Sequence, residues 1–226
     1  MGMNKTYHKT SELPAAVPLF PLAGTILLPG GQLPLNIFEP RYLAMFDDAM
    51  RGERIIGIIQ PSNEAEPPAL QPVGAAGRIT QLSETGDGRY FVILSGISRF
   101  RLLDEIETSQ PYRLAHVDFD AFAADLEPEG HAAAQAAPHM ALRSRTSLND
   151  VAFQLAQALK LDITRKDIES MPDDDMVCVF SMIGPFSPAE KQALLEASDL
   201  AGRADLLLAL AEVELARLTH AAKPLQ

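Results

Sequence analysis

A single cysteine, Cys178, stands among 226 residues, so no disulfide can close within the chain. That suits a reducing compartment and leads to the expectation of a cytoplasmic protein. Cys178 lies in the apolar run MVCVFSMI with no histidine close by in sequence, and reads as a small buried hydrophobe rather than a nucleophile. No apolar run approaches the ~20 residues of a membrane helix. The longest candidate, Leu206 to Ala211, falls far short, and Lys5 and Lys9 are not followed by a continuous signal-type apolar stretch. No G-x-x-x-x-G-K-[ST] loop is present to cradle a phosphate. The five histidines form no C-x-x-C or H-E-x-x-H pattern, and Asp173-Asp174-Asp175 lacks the glycine and the downstream acid of a calcium loop. No metal and no cofactor is therefore expected. Basic charge is also scarce. Residues 1–118 hold 10 Lys and Arg against 13 Asp and Glu, and residues 119–226 hold 9 against 17, for a net of −11. Such a surface repels nucleic-acid phosphates and anionic membranes, so neither is expected as a partner.

What the chain has instead is proline among aliphatics. Val17 to Tyr42, VPLFPLAGTILLPGGQLPLNIFEPRY, carries Pro18, Pro21, Pro29, Pro34 and Pro40. Each removes a backbone donor and fixes φ, so the segment is neither one helix nor one central strand. Short extended pieces joined by turns are expected. The only charges, Glu39 and Arg41, fall at its end.

The rest of the first half reads as strands with one helix. RIIGIIQ (54–60) is a buried strand by its apolar run. Thr85-Gly86-Asp87-Gly88 is a hairpin turn between apolar runs. Tyr90 to Leu94 favours strand, Ser95-Gly96 is a candidate bulge, and Tyr112 to Phe119 is a further strand. The helix starts near Pro40 and stops at Gly52, with Tyr42, Met45, Phe46 and Met50 on one face. Several short strands with turns and a helix suggest a small closed or partly closed barrel.

Residues 120–138 are rich in alanine, acid, proline and glycine, and read as a linker or exposed segment. Beyond them the pattern is helical. Ser147 to Asp150 supplies a start signal before an amphipathic Val151 to Leu161. Asp173 to Asp175 would favour the positive end of a helix covering Met176 to Ile183. Ser187-Pro188-Ala189-Glu190 spells a capping box with proline at the first helical position. Leu206, Leu207, Leu210, Val213 and Leu218 form a wide apolar stripe, expected to be buried.

The order PLFPL, LLPGG, LPL, FEPRY resembles the N-terminal substrate-binding domain of Lon-type ATP-dependent proteases. VGAAGRITQL (73–82) and GRYFVILSGISRFRLLDE (88–105) are similar to two later strand blocks of that family. PFSPAEKQALLEASDLAGRADLLLAL resembles the helical part of its stand-alone members. The resemblance implies an α+β fold: a PUA-like β-barrel over 15–119 with an inserted helix, then a helical bundle over 139–222. It also implies a non-catalytic protein, because the ATPase and Ser-Lys peptidase modules of the family would each need far more chain.

The expected activity is binding of unfolded polypeptide or of a specific protein partner, as an adaptor or regulator of proteolysis. Apolar side chains on loops would make the contacts, with strand addition at an open barrel edge as a further mode. Leu27, Leu28, Leu33, Leu35 and Phe38, around Pro29-Gly30-Gly31, are the candidate peptide contacts. Glu39, Arg41, Tyr42 and Arg99 form the candidate polar cluster, either binding a peptide or holding the strand-to-helix corner. A charge in so apolar a segment calls for a partner. An acid of the first motif is the expected partner of Arg99. The rival readings are a PUA-like RNA-binding module, which the acidic balance opposes, and a small-molecule sensor.

Overall fold

A computed structural model describes residues 5–126 and 142–221. The chain divides into two compact units, 1–130 and 131–226. The first holds β1 (Ala16–Pro21), β2 (Gln32–Ile37), α1 (Pro40–Arg51), β3 (Ile55–Ile59), β4 (Val73–Glu84), β5 (Tyr90–Ile106) and β6 (Arg113–Asp118). The second holds α2 (Leu142–Ala158), α3 (Arg165–Ser170), α4 (Asp173–Ile183), α5 (Pro188–Glu196) and α6 (Leu200–Ala221). The class is α+β, as the sequence implied.

The six strands form one mixed sheet in the order β2-β5-β4-β3-β1-β6. Among the described residues, β1 and β3 are the one parallel pair. β5 is long enough to serve three neighbours. Tyr90 to Ser95 pair with β2, Tyr90 to Arg101 with β4, and Arg101 to Ile106 with β6. Because β6 also pairs with β1, the pairings followed from strand to strand lead back to β5. Every residue of β3 is buried, which explains its unbroken IIGII spelling.

Local chemistry accounts for the breaks. The 85–88 hairpin closes with Thr85 N–H donating to the Arg89 carbonyl, and Gly88 sits at φ 78°, a region glycine enters without steric cost. The irregularity near Ser95-Gly96 falls one residue on. Ala76 faces Ser98 and Gly77 faces Gly96, leaving Ile97 as the extra residue of a bulge. Pro40 begins α1, and Gly52 caps it through its N–H to the Asp48 and Ala49 carbonyls.

The linker expectation needs correction at its start. Asp120–Leu126 forms a 3-10 segment held on the sheet unit. Leu126 packs in the core with Tyr7, Leu13, Val17, Leu19, Phe100 and Phe119. Residues 127–138 lie outside the described residues.

In the helical unit, Ser187 starts α5 with a complete capping box, as the spelling predicted. Its hydroxyl accepts the Glu190 N–H at 3.3 Å, and its own N–H donates to Glu190 Oε2 at 2.7 Å. Asp173, Asp174 and Asp175 occupy the first turn of α4, at the positive end of its dipole. The start expected at Ser147 is not a start, because α2 already begins at Leu142. α6 packs mainly on α2, then on α4. Its buried face is Ala204, Leu207 and Ala211, while Val213 and Leu218 are exposed. The width of the leucine pattern overstated what the neighbouring helices cover.

Candidate functional site

The proline-broken motif covers β1, the following turns, β2 and the start of α1. Its middle, Ile26-Leu27-Leu28, lies flat against the β4–β5 bulge and is buried. Two glycines make that approach possible. A Cβ on Gly96 would stand 2.0 Å from the Leu28 carbonyl oxygen, and one on Gly77 would stand 2.6 Å from Leu27 Cδ2. Leu27 and Leu28, expected among the peptide contacts, are therefore core residues. The correction has a legible cause in the glycines of the later strand blocks.

Past the turn the motif surfaces. On β2, Leu33 and Leu35 are half-buried, with Gln32, Pro34 and Asn36 exposed between them. Phe38, just beyond the strand, is 61% exposed. An aromatic ring left so open is informative, since large apolar side chains are mostly covered in a folded chain.

The polar cluster divides in two. Arg41 Nε donates to Glu39 Oε2 at 2.9 Å, and the two side chains are 50% and 40% exposed. The guanidinium also stands 4.6 Å over the Tyr42 ring. Tyr42 itself is buried, its ring 4.2 Å from Phe20. Burial pushes its phenol pKa up, with Arg41 pulling the other way. Arg99 belongs elsewhere. Its backbone N–H and Nε both donate to Asp125 Oδ2, and a terminal nitrogen donates to Asp125 Oδ1, each at 2.9 Å. The pair is 6% and 10% exposed, and Phe122 stacks over the guanidinium at 4.5 Å. The acid that holds Arg99 thus comes from the 3-10 segment, not from the first motif.

The sequence reading missed the groups that fix α1. Tyr90 hydroxyl donates to Asp47 and Tyr112 hydroxyl to Asp48, each at 2.9 Å. Burial, then the bond to Asp48, pushes the Tyr112 phenol up to about 12. The signal was the adjacent acid pair on an otherwise amphipathic helix, which had no expected use. α1 carries Arg41 and Tyr42 at its first turn, so these phenol–carboxylate bonds set where the exposed corner stands.

Burial pushes the Cys178 thiol up to about 11, and its Sγ lies 3.9 Å from Met182 Sδ. Among the described residues no three His, Cys, Asp or Glu side chains gather as a metal site. No described helix is long and apolar enough to cross a membrane. A depression of about 530 Å³ beside Thr10, Leu13, Leu103, Val117 and Asp118 is open to solvent rather than enclosed.

A mixed sheet with an inserted helix, followed by a helical unit, defines a two-unit α+β protein. The family described as the ATP-dependent protease La (LON) substrate-binding domain matches residues 16–212, and the chain belongs to it. Over 218 residues it is 27% identical to a Lon protease of Anaeromyxobacter dehalogenans and 28% identical to Lon protease 2 of Myxococcus xanthus. The match takes in 88% of this chain in both cases, but 23% and 24% of those proteins, so the chain spans about a quarter of their length. Among solved structures it is similar to a Lon N-terminal domain protein from Xanthomonas campestris, with 25% identity and a TM-score of 0.57. That match covers 86% of this chain and 97% of the other. The N-terminal domain of the Mycobacterium avium complex Lon protease shares the fold at 16% identity and a TM-score of 0.58, over 87% and 98% of the two chains.

Proposed function

We propose that this chain binds unfolded polypeptide without catalysis, through apolar side chains at the β2–α1 corner, and serves as an adaptor or regulator of proteolysis in the cytoplasm. Its membership of a substrate-binding family carries the reading. The corner supplies suitable chemistry: Leu33 and Leu35 half-open, Phe38 open, and the Glu39–Arg41 pair beside them to orient a peptide. The circuit of pairings through β5, β4, β3, β1 and β6 supports taking the sheet as the PUA-like barrel. RNA, the usual alternative on such barrels, meets a chain of net charge −11.

The test titrates a reduced, alkylated polypeptide and its native parent at low and high ionic strength. The unfolded form should bind more tightly, and binding should survive salt because apolar burial is not screened. Leu33→Ser with Phe38→Ser should weaken it by on the order of tenfold or more, since each buried large side chain is worth ~1.5–3 kcal/mol. Equal affinity for both clients, or binding that disappears with salt and ignores the substitutions, overturns the proposal.

A further inference from the structure

β2 is the one strand of the sheet unit with a single partner among the described residues, since it pairs with β5 alone. In an antiparallel pair the backbone groups of alternate residues face the partner, and those between face away. The bond from the Gly96 N–H to the Gly31 carbonyl, 2.8 Å, sets the phase, and the register runs on from Gln32 opposite Ser95. Leu33, Leu35 and Ile37 therefore turn their backbone groups to β5. Gln32, Pro34 and Asn36 turn theirs to the free edge, and all three are exposed. Pro34 is the middle one. It has no N–H, and its ring fills the place from which that donor would reach an added strand. The remaining outward donors, on Gln32 and Asn36, are four residues apart and cannot sustain a ladder between them.

We propose that Pro34 determines how this surface reads a client. It closes the free edge to strand addition, so polypeptide is selected by its apolar side chains against Leu33, Leu35 and Phe38 and is not captured through its main chain. For the same reason copies of the chain do not join edge to edge. The first consequence rests on polypeptide binding as the function; the second does not.

Amide hydrogen exchange by NMR on the unaltered chain reads the phase. Leu33, Leu35 and Ile37 should be protected, and Gln32 and Asn36 should exchange freely; the reverse pattern overturns the proposal. Pro34→Val restores the missing donor. The variant should self-associate with rising concentration by light scattering, and should gain affinity for a Thr/Gln-rich peptide lacking large apolar residues, which the unaltered chain ignores. A variant with unchanged mass and unchanged client preference overturns it. Asn36→Pro puts a second proline in the same phase, so its Tm should shift by no more than a few degrees. Loss of the fold in Asn36→Pro means the phase is wrong, and this arm decides the matter if Pro34→Val does not fold. If the unaltered chain fails to bind reduced, alkylated polypeptide, the functional reading falls, while exchange and self-association still decide the edge.

Discussion

The two units satisfy their buried long cations differently. In the sheet unit, two buried arginines are tied to particular side chains: Arg99 to Asp125, which also accepts the Arg99 backbone N–H, and Arg78 to the Tyr7 hydroxyl at 2.7 Å, with the Glu53 carbonyl as a second acceptor. In the helical unit, long cations reach helix ends instead. Lys191 donates to the Met182 carbonyl at 2.7 Å, and Arg203 to the Leu194 carbonyl at 2.8 Å. Those carbonyls have no intrahelical partner, so the cations satisfy groups that any helix leaves open. The two polar atoms found buried without a hydrogen-bond partner among the described residues, Asn149 Oδ1 and Ser181 Oγ, both fall in the helical unit. The contrast shows two routes to specificity. The sheet unit relies on particular pairs, where losing one member strands the other. The long cations of the helical unit rely on generic backbone acceptors, although buried Gln192 is tied to the Glu196 carboxylate.

The largest expected effect tests that dependence on pairs. Arg99→Ala should destabilise the sheet unit by about 3–5 kcal/mol, because it strands a buried Asp125 carboxylate. Arg41→Ala removes half of an exposed pair and should cost only about 0–1 kcal/mol. All four tyrosines lie in the sheet unit, so near-ultraviolet tyrosine signals follow it, while far-ultraviolet dichroism is weighted to the helices. Equal losses in the two variants would break the distinction between the buried and exposed arginines.

Gly96→Ala should come next, at about 3 kcal/mol. Overpacking usually costs ~1–3 kcal/mol, and here the added carbon meets a backbone oxygen that cannot rotate away. The tyrosine transition should move to lower denaturant and leave the helical one in place. A shift of both together would mean that the units unfold as one.

Alkaline titration separates the units without mutation. The phenols of Tyr7, Tyr42, Tyr90 and Tyr112 are all raised: by burial first in Tyr7, Tyr42 and Tyr112, and by the bond to Asp47 first in Tyr90. A raised folded-state pKa means the folded state holds its proton more tightly. The stability this confers is complete below the unfolded value of 10.0 and is lost as pH climbs through the folded one, about 12 for Tyr112. In the helical unit the half-buried Cys178 thiol has the same sign, whereas Lys191, its pKa lowered by burial, has the opposite one. The tyrosine transition should therefore weaken steadily between about pH 10 and about 12, and Tyr112→Phe should flatten that loss. An unaltered slope in Tyr112→Phe would show that the phenol bonds do not hold α1.

How much the sequence disclosed follows the same division. Periodicity and punctuation are local, so β3, the 85–88 hairpin, α1 from Pro40 to its Gly52 cap, and the Ser187 capping box were legible. Exposure depends on what lies opposite, which no local pattern records. Leu27 and Leu28 looked like a surface patch because the glycines that receive them lie some fifty to seventy residues downstream. Val213 and Leu218 looked buried because their spacing is helical, but both are exposed. Arg99 called for an acid, and its identity was out of reach because Asp125 sits in a segment whose composition reads as a linker. Of the candidate site, the open Phe38 and the tied Glu39–Arg41 corner were foreseeable in kind; the tyrosine bonds that fix α1 were not.

The smallest expected effect is the sharpest test of the contrast, because it predicts opposite signs for one substitution. Ser98 and Ser181 are both fully buried. Ser98, on β5, donates its hydroxyl to the Arg99 carbonyl at 3.0 Å. Ser181, on α4, has no partner for its own among the described residues. A buried hydrogen bond contributes about 0.5–1.5 kcal/mol net, whereas an unmet buried hydroxyl costs about 1–3 kcal/mol. Alanine is also the better helix former, by roughly half a kcal/mol. Ser98→Ala should then lower sheet-unit stability by about 1 kcal/mol, read by tyrosine signal. Ser181→Ala should raise helical-unit stability by at least as much, read by far-ultraviolet dichroism. Removing the same oxygen atom thus strengthens one unit and weakens the other. If Ser181→Ala is instead destabilising to the degree of Ser98→Ala, its hydroxyl is satisfied after all, and the helical unit is as exacting about its polar groups as the sheet.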